Sequence, residues 1–229
     1  MQNQKGIFVT GTDTGIGKTF VSAILVSKLK AKGITCCYYK PISTGCELIN
    51  ETLMSEDLIF INKTTNSNFS PEISTPIRYR IPASPFFASI QEEREIDIKG
   101  ILEQFKRLSE AYGFTIVEGI GGIMVPITKN YFVLDLINDL NLPALVVSRP
   151  ILGTINHTLM TLTLLKQKGI RILGFVTNGE IPKDDPTVST NSKIIEEISG
   201  VQFLGHVPFI KNLDLNIASA VADSIIVRF

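Results

Sequence analysis

The chain has 229 residues, of which 44% are apolar and 19% charged, so a large core is available and global disorder is excluded. Lys plus Arg (22) balances Asp plus Glu (22), which leaves no net basic field for nucleic acid or an anionic membrane. The longest wholly apolar runs, such as Ala144–Val147 and Ile225–Val227, are too short to cross a bilayer, and Gly6 and Gly11 interrupt the N-terminus before a signal-peptide core develops.

The adjacent Cys36 and Cys37, with Cys46, match neither a disulfide framework nor a zinc-site spacing. These features together predict a cytoplasmic protein with no nucleic-acid or membrane partner.

In chain order, the first apolar run, Ile7–Thr10, reads as a strand. It leads into Gly11-Thr-Asp-Thr14-Gly15-Ile16-Gly17-Lys18-Thr19, after which Val21, Ile24, Leu25 and Leu29 mark one face of a helix. A triphosphate needs many donors, close backbone approach and a cation. Glycines permit the approach, a helix N-terminus supplies oriented N–H groups, Lys18 supplies charge, and Thr19 offers a hydroxyl to Mg²⁺. In the usual phosphate loop a glycine stands five residues before the glycine of Gly-Lys. Here that position is Thr12 and the glycine is Gly11. A glycine-rich turn with no ligand is the alternative; the order of strand, loop, Gly-Lys-Thr and helix favours a nucleoside triphosphate.

Thr35–Tyr39 reads as the next strand and ends at Lys40, which is either a second phosphate cation or an ordinary solvated strand-end lysine. Asp57, in Ser55-Glu56-Asp57, either completes a metal shell or serves a helix dipole. Asn62–Glu95 is rich in Ser, Thr, Asn and Pro and reads as an irregular insertion or a cover over an active site. A helix follows, with Ile98, Ile101, Leu102, Phe105 and Leu108 on one face.

The strand Phe114–Val117 ends at Glu118, followed by Gly119-Ile120-Gly121-Gly122. Glu118 has the type and position of a Mg²⁺ ligand, or else it is a carboxylate that caps a helix or pairs with a lysine. Ala144–Ser148 reads as a strand. Leu152-Gly153-Thr154-Ile155-Asn156-His157 opens a helix with a stripe of Ile155, Leu159, Leu162 and Leu165 and a second N-terminal anion site. His157 is tempting as a base but reads more naturally as capping or packing. The strand Ile172–Thr177 ends at Asn178, and Gln202–Val207 is the last strand, with His206 structural. Gly33, Gly113 and Gly169 follow helix-length stretches, where left-handed caps are expected. Strand–helix alternation without hairpin signals predicts a three-layer α/β unit over residues 1–229. Its sheet is mostly parallel with helices on both faces, and its ligands gather at the carboxyl ends of the strands.

In order, these segments resemble the dethiobiotin synthetase family, which closes the ureido ring late in biotin synthesis. The likeness is carried by Gly11-Thr-Asp-Thr…Gly17-Lys18-Thr19, Tyr39-Lys40-Pro41…Thr44-Gly45 and Ser55-Glu56-Asp57. It continues through Pro82…Ser84-Pro85, Val117-Glu118-Gly119…Gly121-Gly122…Pro126, Leu152-Gly153…Ile155-Asn156-His157 and Val207-Pro208. The resemblance implies a P-loop NTPase-like fold and an ATP- and Mg²⁺-dependent reaction of diaminopelargonic acid with carbon dioxide, by way of a carbamate and its mixed anhydride with phosphate.

By the same resemblance Lys18 and Lys40 are catalytic, Thr14–Thr19 cradle phosphate, and Thr19, Asp57 and Glu118 hold Mg²⁺. Thr44, Gly121 and Gly122 contact the diamine, and Asn178 with Pro208, Phe209 and Ile210 holds adenine. A homodimer is implied, in which Thr154, Ile155 and Asn156 of the partner chain receive the substrate's far carboxylate. Four departures stand out: Gly15 where some members carry an acidic residue, Gly179 where one is common, Ile120 where Ala is usual, and no tyrosine in Val188–Lys193.

A regulatory ATPase of the partitioning and cell-division group is the rival. Thr12-Asp13-Thr14 lacks the extra early lysine of that group, and the last eight residues hold only Arg228 as a basic residue.

Overall fold

In the computed structural model, residues 6–181, 188–222, 225 and 227 are described. The first half of the chain contains β1 (Gly6–Gly11), α1 (Lys18–Ala31), β2 (Cys36–Tyr39), β3 (Ile42–Ser43), β4 (Glu47–Ile49) and β5 (Thr52–Met54). There follow α2 (Glu56–Thr65), α3 (Pro71–Ser74), β6 (Ile77–Arg78), α4 (Pro85–Gln91), α5 (Ile98–Ala111) and β7 (Phe114–Glu118). Then come β8 (Pro126–Thr128), β9 (Tyr131–Phe132), α6 (Val133–Asp139), β10 (Ala144–Ser148) and α7 (Thr154–Gln167). The chain continues with β11 (Ile172–Gly179), α8 (Val188–Ser199), β12 (Phe203–Pro208) and α9 (Leu215–Val221).

The six apolar runs form one wholly parallel sheet in the order β12-β11-β10-β1-β7-β2. Period-two alternation divides their side chains between two cores. Ile7, Val9, Ile116, Leu145, Val147 and Val176 face a core shared with Val21, Leu25, Leu58, Ile61 and Ala218. Phe8, Val117, Val146 and Phe175 face the other, with Ile101, Leu136, Leu162 and Ile195. Helices therefore cover both faces.

Helix α1 is buried nearly all round rather than along one stripe, because α2 and α9 pack on the side away from the sheet. Gly33 and Gly169 adopt the left-handed conformation expected of them, with φ +70° and +76°. Gly113 does not. Its place is set by close approach, since a Cβ there would lie 3.1 Å from the Thr35 carbonyl oxygen.

Two small antiparallel hairpins, β4–β5 and β8–β9, lie outside the central sheet, contrary to the expectation of none. The stretch 62–95 is held by specific contacts. The Lys40 N–H donates to the Ser74 carbonyl at 2.7 Å, the Ile77 N–H to Pro41 at 3.2 Å and the Tyr79 N–H to Ser43 at 2.9 Å. This segment therefore runs along Lys40–Ser43 and fixes the chain leaving β2.

Candidate active site

Parallel register brings distant strand ends together. Val9 of β1 is paired with Glu118, and Tyr39 of β2 with Val117, so Lys40 and Glu118 emerge side by side beyond β1. The loop from Gly11 to Lys18 leaves β1, the strand next to β7 on the side away from β2. Gly17 precedes α1 in a left-handed conformation, φ +89°, and a Cβ there would lie 2.0 Å from Asn178 Nδ2. Glycine is required at 17 on both counts.

The displaced Gly11 has its own cause. A Cβ at that position would meet Ile16 Cδ1 at 2.1 Å and Lys18 Cγ at 3.3 Å, because both side chains fold back over the strand end.

A cavity of about 480 Å³ opens over this loop and is lined by Thr14, Gly15, Gly17, Lys18 and Thr19, by Lys40 and Thr44, and by Asp57, Glu118, Ile120 and Gly121. No residue of 62–95 lines it. On its wall the Thr19 hydroxyl lies 2.6 Å from Asp57 Oδ1 and 2.8 Å from Glu118 Oε1. The Lys40 ammonium lies 2.5 Å from Asp57 Oδ2 and 3.0 Å from Glu118 Oε1. Lys18 Nζ donates to the Asp13 carbonyl at 2.9 Å.

Charge and burial set these groups apart. Burial brings the Lys18 ammonium down to about 8, against the pull of Glu118. Burial acts the same way on Lys40, but Glu118 and Asp57 outweigh it and hold that ammonium above its ordinary value. Asp57 is the mirror case: burial alone would raise it, and Lys40 keeps it below the usual carboxylate range.

Three hard oxygens, from Thr19, Asp57 and Glu118, thus converge where a cation is already wanted. Among the described residues no cluster of three or more His, Cys, Asp and Glu side chains is placed to hold a metal. Two carboxylates with a hydroxyl suit Mg²⁺, which takes its remaining oxygens from water and substrate phosphates.

The other sequence-derived residues lie around the loop, at neighbouring strand ends and at the start of α7. Ile16 is buried under the loop. Asn178 reaches the loop from β11, its Nδ2 donating to the Ile16 carbonyl at 3.0 Å while its buried Oδ1 has no partner. Pro208 is paired with Gly179 at the neighbouring strand end, with Phe209 and Ile210 following. Gly122 lies instead on a second cavity of about 460 Å³, beyond the outer side of the loop, where His157 and Met160 also stand. Thr154, Ile155 and Asn156 begin α7 but do not line the phosphate cavity of their own chain. His206 Nδ1 is 3.0 Å from Thr177 Oγ1 and links β12 to β11, as a structural histidine would.

Sequence reasoning passed over three features. The Tyr38 hydroxyl, wholly buried, donates to Glu118 Oε2 at 3.0 Å. Its signal was its position two residues before Lys40, on the same side of the strand. Phe20 and Phe60 stack at 6.2 Å on the cavity wall; Phe20 follows Thr19, and Phe60 lies one helical turn after Asp57. Arg149, just past β10, donates to the Thr14 carbonyl at 3.1 Å, beside Gly15.

Comparison with known proteins agrees with this geometry. A family model described as an AAA domain matches residues 5–216. ATP-dependent dethiobiotin synthetase BioD of Thermodesulfovibrio yellowstonii is 41% identical over 217 residues, covering 91% of this chain and 90% of that protein. The protein of the same name from Methanococcus vannielii is 45% identical over 204 residues, covering 87% and 91%.

Among solved structures, the MinC:MinD cell division complex of Aquifex aeolicus has a TM-score of 0.58 at 16% identity, covering 94% of this chain and 86% of that one. A ParA family ATPase of Chlorobium tepidum has 0.55 at 15%, covering 96% and 91%. At such identities these likenesses bear on the fold alone, and they bear out the three-layer, P-loop NTPase-like sheet. By sequence, this chain belongs to the ATP-dependent dethiobiotin synthetase family.

Proposed function

We propose that the chain acts as a single catalytic unit, an ATP-dependent cyclo-ligase of biotin biosynthesis. It converts 7,8-diaminopelargonic acid, carbon dioxide and ATP into dethiobiotin, ADP and phosphate. The observation that carries this reading is the meeting of Lys18, Thr19, Lys40, Asp57 and Glu118 on one cavity, in a chain of this family.

One amine of the substrate adds to carbon dioxide and loses a proton to give a carbamate. A carbamate oxygen attacks the γ-phosphorus of ATP and ADP leaves, giving a mixed anhydride. The second amine then attacks the anhydride carbon, and phosphate departs as the ring closes. The phosphorylation brings anion to anion, so the site must supply positive charge and hold an in-line geometry. Lys18 suits the nucleotide phosphates. Lys40, on the same cavity, suits the carbamate and the transferring phosphoryl group. Thr44 and the Gly121 backbone flank that space and suit the diamine. Thr19, Asp57 and Glu118 are the residues that would hold Mg²⁺, which when bound screens the phosphate charge. The orphaned Asn178 Oδ1 suits the exocyclic amine of adenine, with Pro208, Phe209 and Ile210 beside it.

A second copy of the chain belongs to this reading. Met124 and Met160, each about half exposed (51% and 52%), and Leu152 (80%) lie around the second cavity and the start of α7. Apolar exposure of this kind suits a homodimer in which one chain's Thr154–Asn156 turn serves the other's substrate. No described helix is long and apolar enough to cross a membrane. The three cysteines are buried and unpaired, which suits a reducing cytoplasm.

Product analysis tests the proposal. Protein, ATP, Mg²⁺, ¹³C-bicarbonate and diaminopelargonic acid are incubated and examined by mass spectrometry. Labelled dethiobiotin, dependent on both ATP and the diamine, is the expected result. ATP hydrolysis indifferent to the diamine, with no labelled product, overturns it.

A further inference from the structure

We propose that Tyr38 is a positioning residue that confines Glu118 to one-oxygen ligation and so favours Mg²⁺ over Ca²⁺. This rests on the magnesium reading above and adds to it a source of metal selectivity.

The two oxygens of Glu118 have separate duties. Oε1 faces the cavity wall, where the Thr19 hydroxyl and the Lys40 ammonium approach at 2.8 and 3.0 Å. Oε2 accepts from the Tyr38 hydroxyl at 3.0 Å. Tyr38 is itself wholly buried in β2, among residues such as Leu58, Ile61 and Ile116. A carboxylate that chelates a cation through both oxygens must turn both toward it. Here that turn would strip Oε2 of the Tyr38 hydrogen bond and leave a phenol O–H unpartnered in the core.

Mg²⁺ demands near-octahedral geometry and is served by single carboxylate oxygens, whereas Ca²⁺ readily takes a carboxylate through both. A partner that holds the second oxygen therefore helps aim the first at Mg²⁺ and penalises Ca²⁺. Hydrogen bonds of this outer kind commonly change metal affinity by 10–100-fold, on the order seen when such partners are removed.

Tyr38→Phe removes the hydroxyl and keeps the ring. Apparent dissociation constants of Mg²⁺ and Ca²⁺ are measured on the complex with a non-hydrolysable ATP analogue, by competition against Mn²⁺ followed by electron paramagnetic resonance. The expected result is a loss of Mg²⁺ affinity of roughly tenfold with a smaller loss, or a gain, for Ca²⁺. Parallel changes in both, or none, overturn the proposal. If the wild-type complex binds neither ion, the magnesium reading falls and this proposal with it.

Should Tyr38→Phe fail to fold, infrared spectra of wild-type protein labelled with ¹³C-glutamate decide the question. A one-oxygen carboxylate signature with Mg²⁺ supports the proposal, and a two-oxygen signature overturns it.

Discussion

Asn178 and Ile16 stand 162 positions apart in the chain, yet the Asn178 side-chain amide donates to the Ile16 carbonyl at 3.0 Å. This bond ties β11 to the phosphate loop and leaves Asn178 Oδ1 buried without a partner. A group that needs an acceptor at that point completes the site, and the amino group of adenine is one. Asn178→Ala should weaken ATP binding about tenfold, the worth of one good hydrogen bond in a shaped pocket. It should also narrow the preference for ATP over GTP, which lacks that donor. Calorimetric titration with both nucleotides checks this, and an unchanged ratio would remove Asn178 from base recognition.

Lys40 gives a second test, because its ammonium bridges two carboxylates. Glu118 is wholly buried, while the Asp57 side chain is 32% exposed. Removing one partner of a fully buried pair costs about 3–5 kcal/mol. With Asp57 partly screened by solvent, Lys40→Ala should lose about 2–3 kcal/mol of stability in a metal chelator. Added Mg²⁺ should recover part of that loss by taking up the same two carboxylates. Phosphoryl transfer should fall by about 10²-fold or more, since a preorganised cation is lost from the reacting groups. Urea unfolding with and without Mg²⁺, alongside single-turnover kinetics, separates the two effects.

Much of the fold was legible because the six central strands are short apolar runs, and those at β1, β2, β7 and β11 deliver a polar or glycine residue at the carboxyl end. Gly11, Lys40, Glu118 and Asn178 could be placed on that pattern alone. Asp57 could not, since an acid in the first turn of α2 looks like any other dipole partner, and only folding brings it to Thr19 and Lys40. The β4–β5 hairpin was hidden for a different reason. Its turn is Asn50-Glu51, both left-handed at φ 47° and 65°, with no glycine to announce it. Tyr38 escaped because a tyrosine in a buried strand reads as core; its hydroxyl acquires a role only when β2 pairs beside β7. The all-round burial of α1 likewise follows from α9, nearly two hundred residues away.

Gly11 offers a test of the unusual spacing in the phosphate loop. The Cβ of Gly11→Ala would lie 2.1 Å from Ile16 Cδ1, so the isoleucine must move and the loop with it. Overpacking of this kind costs about 1–3 kcal/mol, and nucleotide affinity should fall alongside. Ile16→Val deletes the offending methyl at a cost of about 0.5–1.5 kcal/mol on its own. The double variant should be more stable than the sum of the two losses implies, a coupling of the sort seen between touching residues. Strict additivity in denaturant unfolding would mean that the two side chains do not compete for this space.

Far from the cavity, Asp135 ties α6 to the end of α7. Its Oδ2 accepts from the Phe132 N–H at 2.9 Å, and its Oδ1 lies 2.7 Å from Lys168 Nζ. Burial alone would raise this carboxyl, but Lys168 and the Phe132 N–H outweigh it and hold the pKa below the usual carboxylate range. In the unfolded chain an aspartate titrates near about 3.9. A group whose folded pKa is the lower one contributes stability in full above the unfolded value, and loses it as pH falls through the folded value. Asp135→Asn should therefore cost about 0.5–1 kcal/mol at neutral pH, a size limited by the solvent around this pair. The gap from wild type should stay constant down to about pH 5 and close below pH 3. Urea unfolding of both proteins across that range reads the difference directly, and a gap that persists unchanged into strong acid would assign the loss to packing rather than to the carboxylate charge.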